Sequence, residues 1–388
     1  MTNVSTVVES QERLTVGIDL GDKYSQVCVL DDAAEVVEEA RIRTTPEVLR
    51  RKFEAMEPSL VALEAGTHSP WVSRLLESLG HECLVANPAA LHRKGRRKND
   101  KVDATRLARW ARSDPEVLSP ITHRSEDMQA DMALVYSRRA HVEARTKLIN
   151  TARGLVKAHG ARLPACDARS FSNRARDAVP EALRGPIDSL LRSIEQLSDE
   201  IHALDRLVEE LADTKYGLKT DAMRQIEGVG ALTSLAYVLV VRDPYRFRNS
   251  RQVGSYLGLT RREDMSGESE PELGISKAGN KYLRQLLVGC AHYIMGPFGP
   301  DCDLRRWGLR KAQGSKNAKK RAVVAVARKL AVLMHRLWQT GEVYEPLREK
   351  GTAEGSASPR GTAACAPRTG TPDGGGRAMQ PDAGLLTE

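Results

Sequence analysis

The chain has 388 residues, with 59 Lys and Arg against 51 Asp and Glu, a formal charge of +8. That length supports two or three domains with cores of their own, and the positive balance points to an acidic polymer as partner. Six cysteines lie scattered, with no CxxC pair and no Cys/His cluster, which argues against a zinc site and for a reducing compartment. No signal peptide opens the chain and no apolar run reaches the ~18 residues that span a bilayer, so a soluble, cytoplasmic, nucleoid-associated protein with no membrane partner is expected.

Residues 14–30 read as strand, tight turn, strand. Thr15-Val16-Gly17-Ile18 is an apolar run that breaks on Asp19, Leu20-Gly21-Asp22 turns, and residues 24–30 alternate again. An acid closing a buried strand is costly unless something cationic meets it, so Asp19 anchors a candidate site. Residues 36–42 predict a third strand, and Pro46 stands at the first position of a helix to about residue 55. Residues 60–63 predict a buried strand that again ends on an acid, Glu64, followed by Ala65-Gly66-Thr67. Ser69-Pro70 opens a helix stopped by Gly80, and residues 83–86 predict one more strand. Strands and helices in this order imply a mixed sheet with helices packed on it.

A polybasic run at residues 92–98 follows, able to neutralise several phosphates, and then Asp100 and Asp103, which lie on one side of a helix. Asp19, Glu64, Asp100 and Asp103 together form a four-carboxylate set. Oxygen-rich ligands of this kind suit two magnesium (or manganese) ions about 4 Å apart that clamp a phosphodiester during displacement. The competing readings are a turn residue for Asp19 and helix-capping chemistry for the Asp100/Asp103 pair.

These residues carry a resemblance. Gly17-Ile18-Asp19, Leu63-Glu64-Ala65-Gly66-Thr67, Asn87-Pro88 and the stretch from Lys98 through Asp100 and Asp103 to Arg106 resemble the DEDD transposases of bacterial insertion sequences, which include the pilin-gene invertase. The resemblance implies a ribonuclease H-like first domain, similar to the Holliday-junction resolvase RuvC, with Asp19, Glu64, Asp100 and Asp103 as its four acids and metal ligands.

Residues 128–157 predict a long helix rich in Arg and Ala, and residues 160–186 are broken by Gly and Pro. Ile187, Leu190, Ile194, Leu197, Ile201, Leu204, Val208 and Leu211 then alternate steps of three and four. Ile or Val at a and Leu at d favour a parallel two-stranded coiled coil between subunits. An intrachain hairpin with the preceding helix is the alternative. Residues 226–233 match the turn of a helix-hairpin-helix element, in which Gly228 and Gly230 would let backbone N–H groups approach a phosphate.

Tyr256-Leu257-Gly258-Leu259-Thr260, the pair Ser266-Gly267, and residues 274–284 (GISKAGNKYLR) are similar to the second signature domain of the same transposases. By that resemblance Ser266 is the nucleophile, attacking phosphorus to hold a DNA end covalently. Lys277 stands nearby as a candidate phosphate contact. Arg261 replaces the proline usual after Gly-Leu-Thr, and Glu268, Glu270 and Glu272 make the stretch after Ser266 unusually acidic. Residues 311–337 predict one basic amphipathic helix, and the stretch from Gly351 on is too rich in Gly, Ala, Pro and Thr to build a core.

The expected organisation is an α/β DEDD domain at 12–122, a helical coiled-coil segment at 123–218, a mostly α transposase domain at 219–345 and a disordered tail at 346–388. The resemblance implies an insertion-sequence transposase that cuts and rejoins double-stranded DNA as a homo-oligomer, dimer or tetramer, guided by a noncoding bridge RNA. The rival readings are an actin-like sugar kinase, which would need a second phosphate loop that is not found, a RuvC-like endonuclease using the four acids alone, and a binding protein whose acids are structural.

Overall fold

The alternation that begins at Thr15 folds as an antiparallel hairpin, β1 (Thr15–Asp19) and β2 (Tyr24–Leu30), extended by antiparallel β3 (Val36–Arg43). These are strands of a computed structural model that describes residues 14–88, 100–262 and 273–348. After helix α1 (Pro46–Glu54) the chain returns as β4 (Leu60–Glu64), parallel to β1. Helix α2 (Ser69–Ser78) then leads to β5 (Glu82–Ala86), parallel to β4. The sheet order is β3-β2-β1-β4-β5, so β1 and β4 are its central, parallel pair. Parallel central strands are covered on both faces, which is why they read as unbroken apolar runs.

Alternate residues of these strands go to opposite layers. Val16, Ile18, Val61 and Leu63 are fully buried against Leu49, Phe53, Val72 and Leu76 of α1 and α2. On the other face lies α3 (Asp100–Ser113), whose Ala104 and Ala108 pack with Cys28 and Leu30, and whose Leu107 and Ala111 pack with Ala62 and Ala86. Gly17 is what lets α3 lie so close. A Cβ at this position would stand 2.0 Å from the Ala104 carbonyl oxygen and 2.6 Å from the Ala108 nitrogen.

Two long helices follow, α4 (Glu126–Ala158) and α6 (Arg184–Asp213), with the short α5 (Phe171–Arg176) between them. They form an antiparallel hairpin: Arg138 Nε donates to Asp205 Oδ1 at 2.6 Å and Arg145 Nη1 to Ser198 Oγ at 3.1 Å. The heptad positions Ile187, Ile194, Ile201 and Val208 are buried, whereas Leu190, Leu197, Leu204 and Leu211 are half-buried. The regular repeat thus finds an intrachain partner for its a row.

Met132 and Val135 of α4 and Val208 and Ala212 of α6 also enter the largest core cluster. That core belongs to α7 (Gly217–Arg224), α8 (Ala231–Val241), α9 (Arg251–Tyr256), α10 (Lys281–Met295), α11 (Asp303–Lys311) and α12 (Lys316–Thr340). The continuous basic helix expected over 311–337 is instead a helix end, a break and a new helix. Gly314 takes a φ of +109°, and Ser315 caps the next helix by accepting from the Ala318 N–H. Among the described residues no helix is long and apolar enough to cross a membrane.

Candidate active site

The register that pairs Ile18 with Leu63 places Asp19 and Glu64 one step further on, at the same end of neighbouring parallel strands. Both are half-buried, and both line one pocket of 330 Å³ together with Asp22, Thr67 and His68. The turns that shape the pocket are pinned from below. Ser25 and Thr44 hydroxyls lie 2.8 Å apart, and Thr44 Oγ1 donates to the Gly21 carbonyl at 2.9 Å. Across the pocket, Ser69 Oγ receives the Gly66 N–H and donates to the Gly66 carbonyl, each at 2.9 Å.

By the two-residue period of a strand, Asp19 shares the α3 face with Gly17, and Glu64 shares it with Ala62. The helix direction follows from its far end, where Arg112 donates to the Asp32 carbonyl beyond the opposite end of β2. The N-terminal turn of α3, with Asp100 and Asp103, therefore points toward the strand ends that carry Asp19 and Glu64. Asp103 is largely buried and pairs with Arg106 Nη2 at 2.5 Å; it does not line the pocket. Asp100 begins the helix, and its side chain lies outside the described residues.

Hard oxygen donors on a shared pocket suit a divalent cation, and among the described residues no hydrogen bond or ion pair compensates the half-buried Glu64. The described residues alone do not complete a cage, since no three of their His, Cys, Asp or Glu side chains are grouped to hold a metal ion.

Ser266, with Glu268, Glu270 and Glu272, lies outside the described residues. Its two flanks are described, and they are bound to each other. The Ser276 N–H donates to the Thr260 carbonyl and the Arg262 N–H to the Gly274 carbonyl, both at 2.9 Å, and Arg261 bridges Ile275. Gly258 permits this approach, because a Cβ there would stand 2.3 Å from the Ala278 nitrogen. The buried Arg284 guanidinium clamps both flanks, donating to the Leu257 carbonyl at 2.8 Å and the Ala278 carbonyl at 2.6 Å. Desolvation lowers the Arg284 pKa from its ordinary value. Lys277 takes a φ of +58°, a turn geometry that its sequence neighbours Ala278-Gly279 did not announce.

The helix-hairpin-helix reading finds two helices, α7 and α8, joined by a short turn with Gly228 at a φ of +91°. An added Cβ at Gly228 would stand 2.6 Å from Cδ1 of the Tyr293 ring, whereas one at Gly230 would meet nothing within 4 Å. Gly228 thus serves the turn and its packing on Tyr293, and both glycines are exposed.

Comparison with known proteins decides among the rival readings. A DEDD-type model described as "Transposase" matches residues 16–160, and a second, described as "Transposase IS116/IS110/IS902 family", matches residues 220–301. The transposase for insertion sequence element IS1111A of Coxiella burnetii is 29% identical over 337 residues, 85% of this chain and 90% of its own. The relative y4pF/y4sB of Sinorhizobium fredii, also named for transposase activity, is 30% identical over 300 residues, covering 75% and 76% of the two chains. The chain belongs to the IS116/IS110/IS902 transposase family. The pilin gene-inverting protein of Moraxella lacunata is 24% identical over 264 residues, 66% of this chain and 72% of its own. This transposase is therefore an enzyme that cuts and rejoins DNA, and the sugar-kinase and binding-only readings fall.

Sequence reasoning missed His68. Trp71 Nε1 donates to His68 Nδ1 at 3.1 Å, which leaves the imidazole proton on Nε2, 3.5 Å from Asp22. The His-x-x-Trp spacing at a helix start was the available signal, but only the turn after β1 brings Asp22 across to it.

Proposed function

We propose that this transposase moves an insertion sequence by strand exchange, using a divalent-metal site of Asp19, Glu64, Asp100 and Asp103 together with Ser266 as nucleophile. The observation that carries the reading is the convergence of Asp19 and Glu64 on one pocket at the end of the parallel β1/β4 pair. The mixed sheet with an acid at each central strand end also supports a ribonuclease H-like, RuvC-like domain. A metal ion bound there would supply positive charge to the phosphodiester oxygens. Asp19 and Glu64 would hold it from the sheet, and α3 would bring the remaining carboxylates from the helix side.

In this reading Ser266 Oγ bonds to phosphorus as the sugar oxygen leaves with the serine proton, so the strand is cut while a phosphodiester-like ester is conserved for rejoining. The paired flanks at 257–262 and 274–278 give the serine segment a fixed base. A noncoding bridge RNA that pairs with donor and target DNA completes the proposal, supported by the net positive charge and by membership of the family. Because the acids and the serine lie on different parts of the chain, the active form is read as a homo-oligomer.

The test is recombination between a plasmid carrying the native element ends and a target plasmid, with the bridge RNA supplied. Wild type is expected to yield junctions; Ser266→Ala and Glu64→Gln are expected to lose at least ~10²-fold, the scale on which removal of a group acting in the transition state is felt. Manganese is expected to raise the melting temperature of the wild type, and Glu64→Gln to lose that rise. Junctions from Ser266→Ala at the wild-type level would overturn the serine role and leave the four acids to act alone.

A further inference from the structure

Where the sheet domain meets the helical body there is a second pocket, of 390 Å³, in which three arginines converge. Its lining includes His123, Arg124, Arg242, Arg246 and Tyr256, and no carboxylate. Two of the arginines are exchanged across the joint. Arg124 Nε donates to the Leu239 carbonyl in the last turn of α8 at 2.8 Å, and Arg242, just past that helix, donates through Nη1 to the carbonyls of Thr122 at 2.5 Å and His123 at 3.1 Å. A guanidinium carries five N–H donors, and these bonds occupy one nitrogen of each. Arg246 makes no hydrogen bond among the described residues; its guanidinium lies over the rings of Phe247 and Tyr256 at 4.7 and 4.4 Å.

Three features show that the cluster is held together against its own charge. Arg242 has a φ of +68°, a strained conformation for a side-chain-bearing residue that persists only where the surroundings impose it. His123 Nε2 is buried and has no hydrogen-bond partner. Burial, together with the charges of Arg74, Arg242 and Arg124, lowers the His123 pKa, and burial with Arg246 and Arg124 lowers that of Arg242. The adjacent acid, Asp243, is turned away to accept the Tyr245 N–H at 2.9 Å. Like charges gathered around an unsatisfied buried nitrogen are what an anion site presents before its anion arrives.

We propose that this pocket binds a phosphodiester group of a nucleic-acid backbone, held by Arg124, Arg242 and Arg246 with His123 Nε2 as a further donor. The inference rests on the reading of the chain as a DNA-cutting transposase and adds a place where the substrate or guide strand is gripped. Planar, always-charged guanidinium forks suit phosphate oxygens, and the aromatic stack under Arg246 presents its fork in one orientation. A backbone seated here lies across the joint between the domain that carries Asp19 and Glu64 and the body that carries the flanks of Ser266.

The experiment uses the full chain and follows binding of a labelled duplex DNA and of a labelled RNA hairpin by fluorescence anisotropy over a salt series. Arg246→Gln is the informative variant, because Arg246 supports no backbone carbonyl; Arg246→Lys keeps its charge, and melting curves check the fold of both. Arg246→Gln is expected to flatten the slope of log Kd against log salt by about one, the loss of one phosphate contact, while Arg246→Lys retains most of it. A flattened slope with DNA alone, with RNA alone or with both supports the site and identifies its source. Unchanged slopes for both probes, with wild type binding normally, overturn the proposal and leave the transposase reading standing. A wild type that binds neither probe overturns the nucleic-acid reading itself.

Discussion

Gly17 governs the active-site side of the sheet more than any polar residue does, because α3 rests its backbone on it. In Gly17→Ala the new Cβ would meet the Ala104 carbonyl oxygen at 2.0 Å, and backbone cannot rotate aside as a side chain can. The helix must lift, and overpacking of this kind costs about 1–3 kcal/mol. Urea denaturation of Gly17→Ala should show that loss, whereas Gly154→Ala, exposed on α4 with nothing within 4 Å, should gain ~0.5–1 kcal/mol from helix propensity. Equal midpoints for the two variants would show that α3 does not rest on Gly17. Asp19 and Glu64 were legible in the sequence because an acid that ends an apolar run is conspicuous against the strand pattern. Asp100 and Asp103 joined the candidate set through their order beside a polybasic run, although a helix-start Asp pair also has ordinary capping uses, and Ser266 drew its role from resemblance alone, since a Ser-Gly in a polar stretch is commonplace. His68 was not legible, as its partner Asp22 comes from a different turn.

At the scale of elements, periodicity gave the helices but not their partners. The eight heptad residues from Ile187 to Leu211 predicted one long helix, and α6 is that helix; the same pattern fits a seam within the chain or between chains. The a row is buried against α4, with Ile194 sharing a cluster with Ile149, Ala152 and Val156. Ile201→Ala should therefore cost about 2–5 kcal/mol of stability at any protein concentration, as a truncation inside a packed core. Leu207, on the same helix but 49% exposed, should cost little when truncated. A midpoint for Ile201→Ala that shifted with protein concentration would instead put this row between subunits. The break at Gly314 was missed for a related reason: the apolar spacing runs on past it, and only the pairing of Gly314 with the cap Ser315 marks a new helix.

The whole molecule must still bring distant groups together, and the hairpin is the part of it with surface to spare. With the a row used internally and Leu190 and Leu211 packed on core clusters, the half-buried Leu197 and Leu204 and the exposed Leu207 are the leucines of α6 that those clusters leave over. A homo-oligomer joined there would keep the hairpin intact in each subunit, whereas a parallel two-stranded coil using both rows would first have to open it. Light scattering after size exclusion should give the wild type a mass above 42.7 kDa, the mass of one chain. The double variant Leu204→Glu, Leu207→Glu should elute as a monomer with its helical melting curve unchanged, because both positions lie outside the buried row. Recombination should fall with the loss of assembly if the acids of one subunit work with the serine of another. A wild type that is monomeric with DNA and RNA present would remove the shared-site idea, and an oligomer that survives both glutamates would move the seam away from α6.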